Sequence, residues 1–209
     1  MPPDARPLLA LAPVIPVLTI KDASTAVRLA RALVAGGLPV IEVTLRTPAA
    51  LEAIRAIARD VPDAVVGAGT ITRTGDIQMA TAAGSRFLVS PGTPPDLADA
   101  LAGVPVPVLP GCATVTEAMA LAVRGFAALK FFPAEPSGGA AFLKSLSGPL
   151  PGLVFCPTGG IDAAKAPSYL ALGNVGAVGG SWVVPDDALA SGDFARITDL
   201  ARAARALRP

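Results

Sequence analysis

The chain has 209 residues, of which 52% are hydrophobic, 4% aromatic and 16% charged, with a net charge of +1 and no histidine. That is enough for one sizeable core built from Ala, Val, Leu and Ile, while the missing histidine excludes Ser-His-Asp and Cys-His catalysis and His-ligated zinc. Single, dispersed arginines give no nucleic-acid or membrane-surface footprint, and the two separated cysteines, Cys112 and Cys156, give neither a disulfide framework nor metal spacing, the pattern of a reduced cytoplasmic protein.

The first apolar stretch, LLALAPVIPVLTI (8–20), is too short to span a bilayer and is interrupted by Pro13 and Pro16. Asp4 and Arg6 precede it and no small-residue cleavage motif follows, so it reads as a buried first strand centred on 14–18 rather than a signal peptide. Residues 23–37 predict a helix with Val27, Ala30 and Val34 on its apolar side and a stop at Gly36. A strand over 40–46, VIEVTLR, leads to a helix over 47–60 that opens on a Thr47 cap with Pro48 in its first turn. Strands follow at 65–71, 87–91 and 106–110, then a helix over 114–125 with the Thr114 to Glu117 capping-box spacing and a stop at Gly125. Further strands are read at 127–133, 154–158 and 177–183. Roughly eight strand–helix units without a linker predict an α/β fold, a single (β/α)₈ TIM barrel occupying 1–209 as one domain, with an open doubly wound sheet as the rival.

A barrel requires its polar chemistry at the carboxyl ends of the strands. Glu42, Thr44 and Arg46 share one face of the second strand by period-two alternation; Thr70 ends the third, Ser90 the fourth, Thr158 the seventh, and Ser181 sits in the eighth. In the run ALKFFPAEP (127–135), Ala128, Lys130 and Phe132 share a face, while Leu129 and Phe131 take the helix side, so Lys130 is predicted to point inward. Two readings compete for it: an internal ion pair with Glu42, or an amine whose apolar surroundings leave a neutral fraction to attack a carbonyl and form a Schiff base. A nearby carboxylate serves either. Arg46 reads as a rim charge or as a forked grip on a carboxylate. The pairs Gly159-Gly160 and Gly179-Gly180 read as turns or as a phosphate cradle of backbone N–H groups, with Ser181 adding a hydroxyl. Lys21 reads as solvated or capping, Lys144 and Lys165 as surface residues, Trp182 as facing helices, and neither cysteine as a nucleophile.

Together, PVIPVLTI, AGGLPVIEVTLRT, VGAGTI, LVSPG, LPG, LKFFPAE, FCPTGGI and GGSWVVP resemble the class I 2-keto-3-deoxy-6-phosphogluconate (KDPG) aldolase / 4-hydroxy-2-oxoglutarate aldolase family over nearly the whole chain. The resemblance implies Lys130 as the Schiff-base lysine and Glu42 as the general acid/base. It implies Arg46, Thr70, Pro91, Phe132 and Thr158 at the substrate, with Gly159, Gly160, Gly180 and Ser181 at its phosphate. It further implies a homotrimer acting on a small 2-keto acid, with no cofactor and no metal. Its preferred reaction is cleavage of KDPG to pyruvate and glyceraldehyde 3-phosphate, as in the Entner-Doudoroff pathway. Other readings are the 4-hydroxy-2-oxoglutarate or 2-dehydro-3-deoxy-6-phosphogalactonate substrate, a noncatalytic barrel that binds a phosphometabolite, and a phosphosugar isomerase using Glu42. The chain departs from the family pattern at its proline-rich start, MPPDARPLLALAP, where members often carry a helix closing the barrel floor, and at Gly111-Cys112 after strand five.

Overall fold

The computed structural model describes residues 1–207; residues 208 and 209, the end of the expected 1–209 unit, lie outside the described residues. Its strands are short and buried: β1 Val14–Leu18, β2 Val40–Thr44, β3 Val65–Gly69, β4 Leu88–Val89, β5 Val108–Leu109, β6 Gly111–Cys112, β7 Ala128–Phe131, β8 Val154–Pro157 and β9 Val178–Gly180. They pair in parallel as two arcs, β5-β4-β3-β2-β1-β9 and β6-β7-β8. Around them run α1 Arg6–Ala10, α2 Ala26–Ala35, α3 Ala50–Asp60, α4 Thr74–Ala82, α5 Pro95–Ala102, α6 Val115–Val123, α7 Gly139–Leu146, α8 Ala166–Leu170, α9 Asp186–Ser191 and α10 Phe194–Arg205. The architecture is α/β with a curled parallel sheet.

Strands buried on both sides explain the near-continuous apolar runs of the sequence. Ile41, Val43, Leu129 and Phe131 point outward and join the large core against the helices, whereas Val40, Phe87, Val89, Ala128 and Cys156 form a smaller cluster on the inner face. Each such Val, Leu, Ile or Phe contributes about 1.5–3 kcal/mol by leaving water. The alternation read for residues 128–131 therefore holds.

β1 falls on 14–18 as read, but most later strands stop short of their expected ends, and β4 and β5 shrink to two residues each. Pro91, Pro107 and Pro110 supply no N–H to extend the ladders there. The proline-rich start, read as a departure from the family pattern, nevertheless carries a short helix at residues 6–10. These residues form α1, with Pro7 tolerated in its first turn, and bury Leu8 and Leu9 against the inner-face cluster. The buried side of α2 is Ala26, Leu29, Ala30, Ala32 and Leu33, so Val27 and Val34 flank the stripe rather than lead it. Thr47 does not cap α3, because its hydroxyl donates to the Ile20 carbonyl at 2.5 Å instead. The Thr114–Glu117 box does form: the Glu117 N–H donates to Thr114 Oγ1 at 3.2 Å, and the Thr114 N–H donates to Glu117 Oε2 at 3.1 Å. No described helix is long and apolar enough to cross a membrane.

Candidate active site

Lys130 sits on β7 between two small registered neighbours, Gly111 on β6 and Cys156 on β8, which leave the inner face open for its four-carbon stem. Glu42 occupies β2 beside Gly67 of β3, and a Cβ on the next inner position, Gly69, would lie 2.0 Å from Glu42 Oε1. The carboxylate therefore fills space that any larger residue at 69 would take. Across the inner face, Lys130 Nζ donates to Glu42 Oε1 at 3.0 Å and Oε2 at 3.3 Å, with side-chain exposures of 5% and 4%. The Phe132 ring lies 5.5 Å from the same nitrogen. Burying two charges so completely costs several kcal/mol per ion before their attraction offsets it, which makes this pair a poor device for stability alone.

The rim above the pair is ordered by side chains from successive strands. Thr44 Oγ1 donates to the Leu18 carbonyl at 3.0 Å and lies 3.1 Å from Thr19 Oγ1, tying β2 to the end of β1. Arg46, just past β2, donates from Nε to Thr70 Oγ1 at 3.2 Å. Thr70 adopts φ 64°, a left-handed conformation that costs a β-branched residue on the order of 1–3 kcal/mol and is typically held only where the surroundings enforce it. Ser90 is spent on structure, accepting from the Gly111 N–H at 3.1 Å and meeting Thr93 Oγ1 at 2.9 Å.

A cavity of about 460 Å³ opens over Lys130. Its wall includes Arg46, Phe132, Thr158, Gly159, Gly160, Gly180 and Ser181, so most of the residues expected at a substrate do meet there. Glu42 lies behind Lys130, Thr70 reaches the wall through Arg46, and Pro91 stands off it, half-buried, with its carbonyl against Gly111. Thr158 Oγ1 is buried, engages the Cys156 thiol weakly, and has no hydrogen-bond partner of normal geometry. An unspent buried hydroxyl on a cavity wall points to a ligand.

Sequence reasoning missed several wall residues. Lys21, expected to be solvated or capping, lines the cavity, as do Thr19, Ile161, Asp186 and Leu189. The only available signal was position, since Thr19 and Lys21 directly follow β1. Lys165, read as a plain surface residue, binds Glu135 and the Gly160 carbonyl. Trp182 packs against the helix-side core as expected.

Burial pushes the Cys112 thiol up to about 12, helped by the nearby Glu117 carboxylate, and burial pushes Cys156 up to about 12 as well. Neither is a thiolate at neutral pH, so neither is an activated nucleophile. Among the described residues no group of three or more His, Cys, Asp or Glu side chains is placed to hold a metal ion.

Comparison with known proteins gives the same direction. The family profile "Aldolase: KDPG and KHG aldolase" matches residues 6–200. A protein of Pseudoalteromonas atlantica named 2-dehydro-3-deoxy-phosphogluconate aldolase is 50% identical over 92% of this chain and 89% of its own length. The crystal structure of the KDPG aldolase from Legionella pneumophila, with pyruvate captured as a covalent carbinolamine, superposes with a TM-score of 0.94 at 43% identity, covering 97% of this chain and 98% of that one. The aldolase of Zymomonas mobilis with 3-phosphoglycerate superposes with a TM-score of 0.92 at 46% identity, covering 98% and 96%. The chain that carries this inward lysine, its carboxylate and the glycine-walled cavity thus belongs to the KDPG and KHG aldolase family.

Proposed function

We propose that the chain is a Schiff-base aldolase that cleaves 2-dehydro-3-deoxy-6-phosphogluconate reversibly to pyruvate and glyceraldehyde 3-phosphate. The observation that carries this reading is the Lys130–Glu42 pair, 3.0 Å apart and almost fully buried at the base of the cavity. Glu42 takes a proton from Lys130 Nζ, and the free amine attacks the C2 carbonyl of the substrate. Glu42 returns its proton to the hydroxyl of the resulting carbinolamine, which leaves as water to give an iminium and restores the carboxylate. Glu42 then accepts the C4 hydroxyl proton, the C3–C4 bond breaks, and its electrons move into the iminium, which becomes an enamine as the aldehyde leaves. Protonation at C3 and hydrolysis release pyruvate and restore the lysine.

Arg46, braced by Thr70, holds the keto-acid end, with the Thr158 hydroxyl as a further donor. Phe132 walls the site beside the amine. Gly159, Gly160, Gly180 and Ser181 hold the phosphate. The two arcs of sheet close into a (β/α)₈ barrel in this reading, supported by the parallel pairing of β1 with β9, by the bridge from Thr158 to Gly179, and by the single residue that separates β5 from β6. Val115, Met119 and Val123 form an exposed apolar stripe along α6, which supports the homotrimer. Borohydride reduction in the presence of pyruvate, followed by peptide mass mapping, tests the assignment: the expected adduct is on Lys130, and an adduct on any other lysine sinks it. Comparing kcat/KM for the phosphogluconate, the phosphogalactonate and 4-hydroxy-2-oxoglutarate tests the choice of substrate.

A further inference from the structure

Behind the glycine pair that follows β8, side chains from two separate segments meet. Lys165 Nζ is 2.9 Å from Glu135 Oε2, and Tyr169 donates its hydroxyl to Glu135 Oε1. Lys165 Nζ also donates to the Gly160 carbonyl at 2.9 Å. None of these three side chains is on the cavity wall. The backbone adds to the same grip: the Ala134 N–H donates to the Thr158 carbonyl at 2.8 Å and the Glu135 N–H to the Gly159 carbonyl at 3.1 Å. Three consecutive carbonyls, those of Thr158, Gly159 and Gly160, are thus held from outside the cavity.

In a trans peptide the carbonyl and the N–H that follows it point in opposite directions. Holding the Gly159 and Gly160 carbonyls outward therefore turns the Gly160 and Ile161 N–H groups inward, and both residues line the cavity. The turn needs glycine, since φ is +105° at Gly159 and +78° at Gly160, and a Cβ on Gly160 would lie 2.8 Å from Glu135 Cγ. The Lys165 ammonium on the Gly160 carbonyl also polarises that peptide, which strengthens the Ile161 N–H as a donor.

We propose that Lys165, Glu135 and Tyr169 are positioning residues that aim the Gly160 and Ile161 amides at the anionic end of the substrate, and so set the enzyme's preference for phosphorylated over unphosphorylated 2-keto acids. The proposal rests on the phosphate subsite of the preceding section. Because a half-exposed ion pair contributes little to folding, substrate preference rather than stability is the property to read.

The test measures kcat and KM for wild type, Lys165→Met, Lys165→Arg and Glu135→Gln on 2-dehydro-3-deoxy-6-phosphogluconate and on the same acid without its phosphate, together with inhibition by inorganic phosphate. Lys165→Met is expected to raise KM for the phosphorylated acid and weaken phosphate inhibition, each roughly five- to tenfold. Its kcat, and its kcat/KM on the unphosphorylated acid, should stay near wild type. Glu135→Gln should shift the same two quantities by less, and Lys165→Arg should restore most of the loss. If wild type discriminates but Lys165→Met discriminates equally well, or loses equally on both acids, the positioning role is overturned while the phosphate subsite stands. If wild type neither prefers the phosphorylated acid nor is inhibited by phosphate, both are overturned.

Discussion

Two lysine–glutamate pairs lie at or just behind the cavity wall, and they are nearly the same length: 3.0 Å for Lys130–Glu42 and 2.9 Å for Lys165–Glu135. The side chains of the first are 5% and 4% exposed, those of the second 46% and 32%. Distance alone would rank them as equals. Burial separates them, because water screens the outer pair and is shut out from the inner one, where the loss of either partner strands a charge. The inner pair therefore suits the proton transfer proposed for it, and the outer pair the positioning role proposed for it.

The sharpest way to break that contrast is Lys130→Met. Activity should fall roughly 10⁴-fold or more with the nucleophile gone. Stability should also fall by about 3 kcal/mol in urea denaturation, because Glu42 remains buried without its cation. Adding Glu42→Gln should recover much of that stability and none of the activity. An unchanged stability in the single variant would mean that water reaches the inner pair after all.

Next in size is Gly69→Ala, whose new methyl group would displace the Glu42 carboxylate. An ångström-scale displacement of the base should lower kcat roughly 10²-fold, measured on the same substrate, while the Schiff base with pyruvate still forms. Full activity would show that the carboxylate need not sit where it does.

Asp76 offers another buried charge, one satisfied by donors rather than by a buried cation. Burial works against its ionisation, but the N–H groups of Thr72 and Arg73 and the Arg73 side chain outweigh burial and hold its carboxyl below the usual 3.8. A carboxyl lowered in the folded state stabilises fully above its unfolded value and loses that contribution as pH falls through the folded one. Asp76→Ala should cost about 1 kcal/mol at neutral pH. The gap from wild type should close as the pH is taken below 3.8. A gap independent of pH would mean that the charge is not what holds the loop. The smallest effect is that of Lys165→Met on folding, which should leave the thermal midpoint within the error of calorimetry; a clear drop would erase the contrast between the two pairs.

The inner pair was legible in the sequence because alternation in ALKFFPAEP and VIEVTLR leaves only one face for Lys130 and Glu42. The outer pair was not. Lys165 and Glu135 are thirty residues apart in loops without periodicity, and nothing in either local stretch indicates that they meet. The same limit hid Lys21 and Asp186 on the cavity wall and left Pro91 off it. The helix at 6–10 was missed for another reason: it lies in a proline-rich start, yet its one proline, Pro7, occupies a first-turn position where a missing N–H costs nothing. Strand ends were overestimated wherever a proline stood at the rim, as at Pro91 and Pro110. Pattern located the inner-face chemistry, and contacts between loops had to come from three dimensions.

The parallel pairing of Val14, Ile15 and Pro16 with Val178, Gly179 and Gly180 joins the first strand to the last. During synthesis on the ribosome, Glu42 emerges 88 residues before its cation, and β1, paired on one edge with β2, waits for a partner on its other edge until nearly the whole chain has been made. Completion of the sheet around the Lys130–Glu42 pair is thus a late event in the life of the nascent polypeptide, and a message truncated before residue 178 yields a product in which β1 lacks its β9 neighbour.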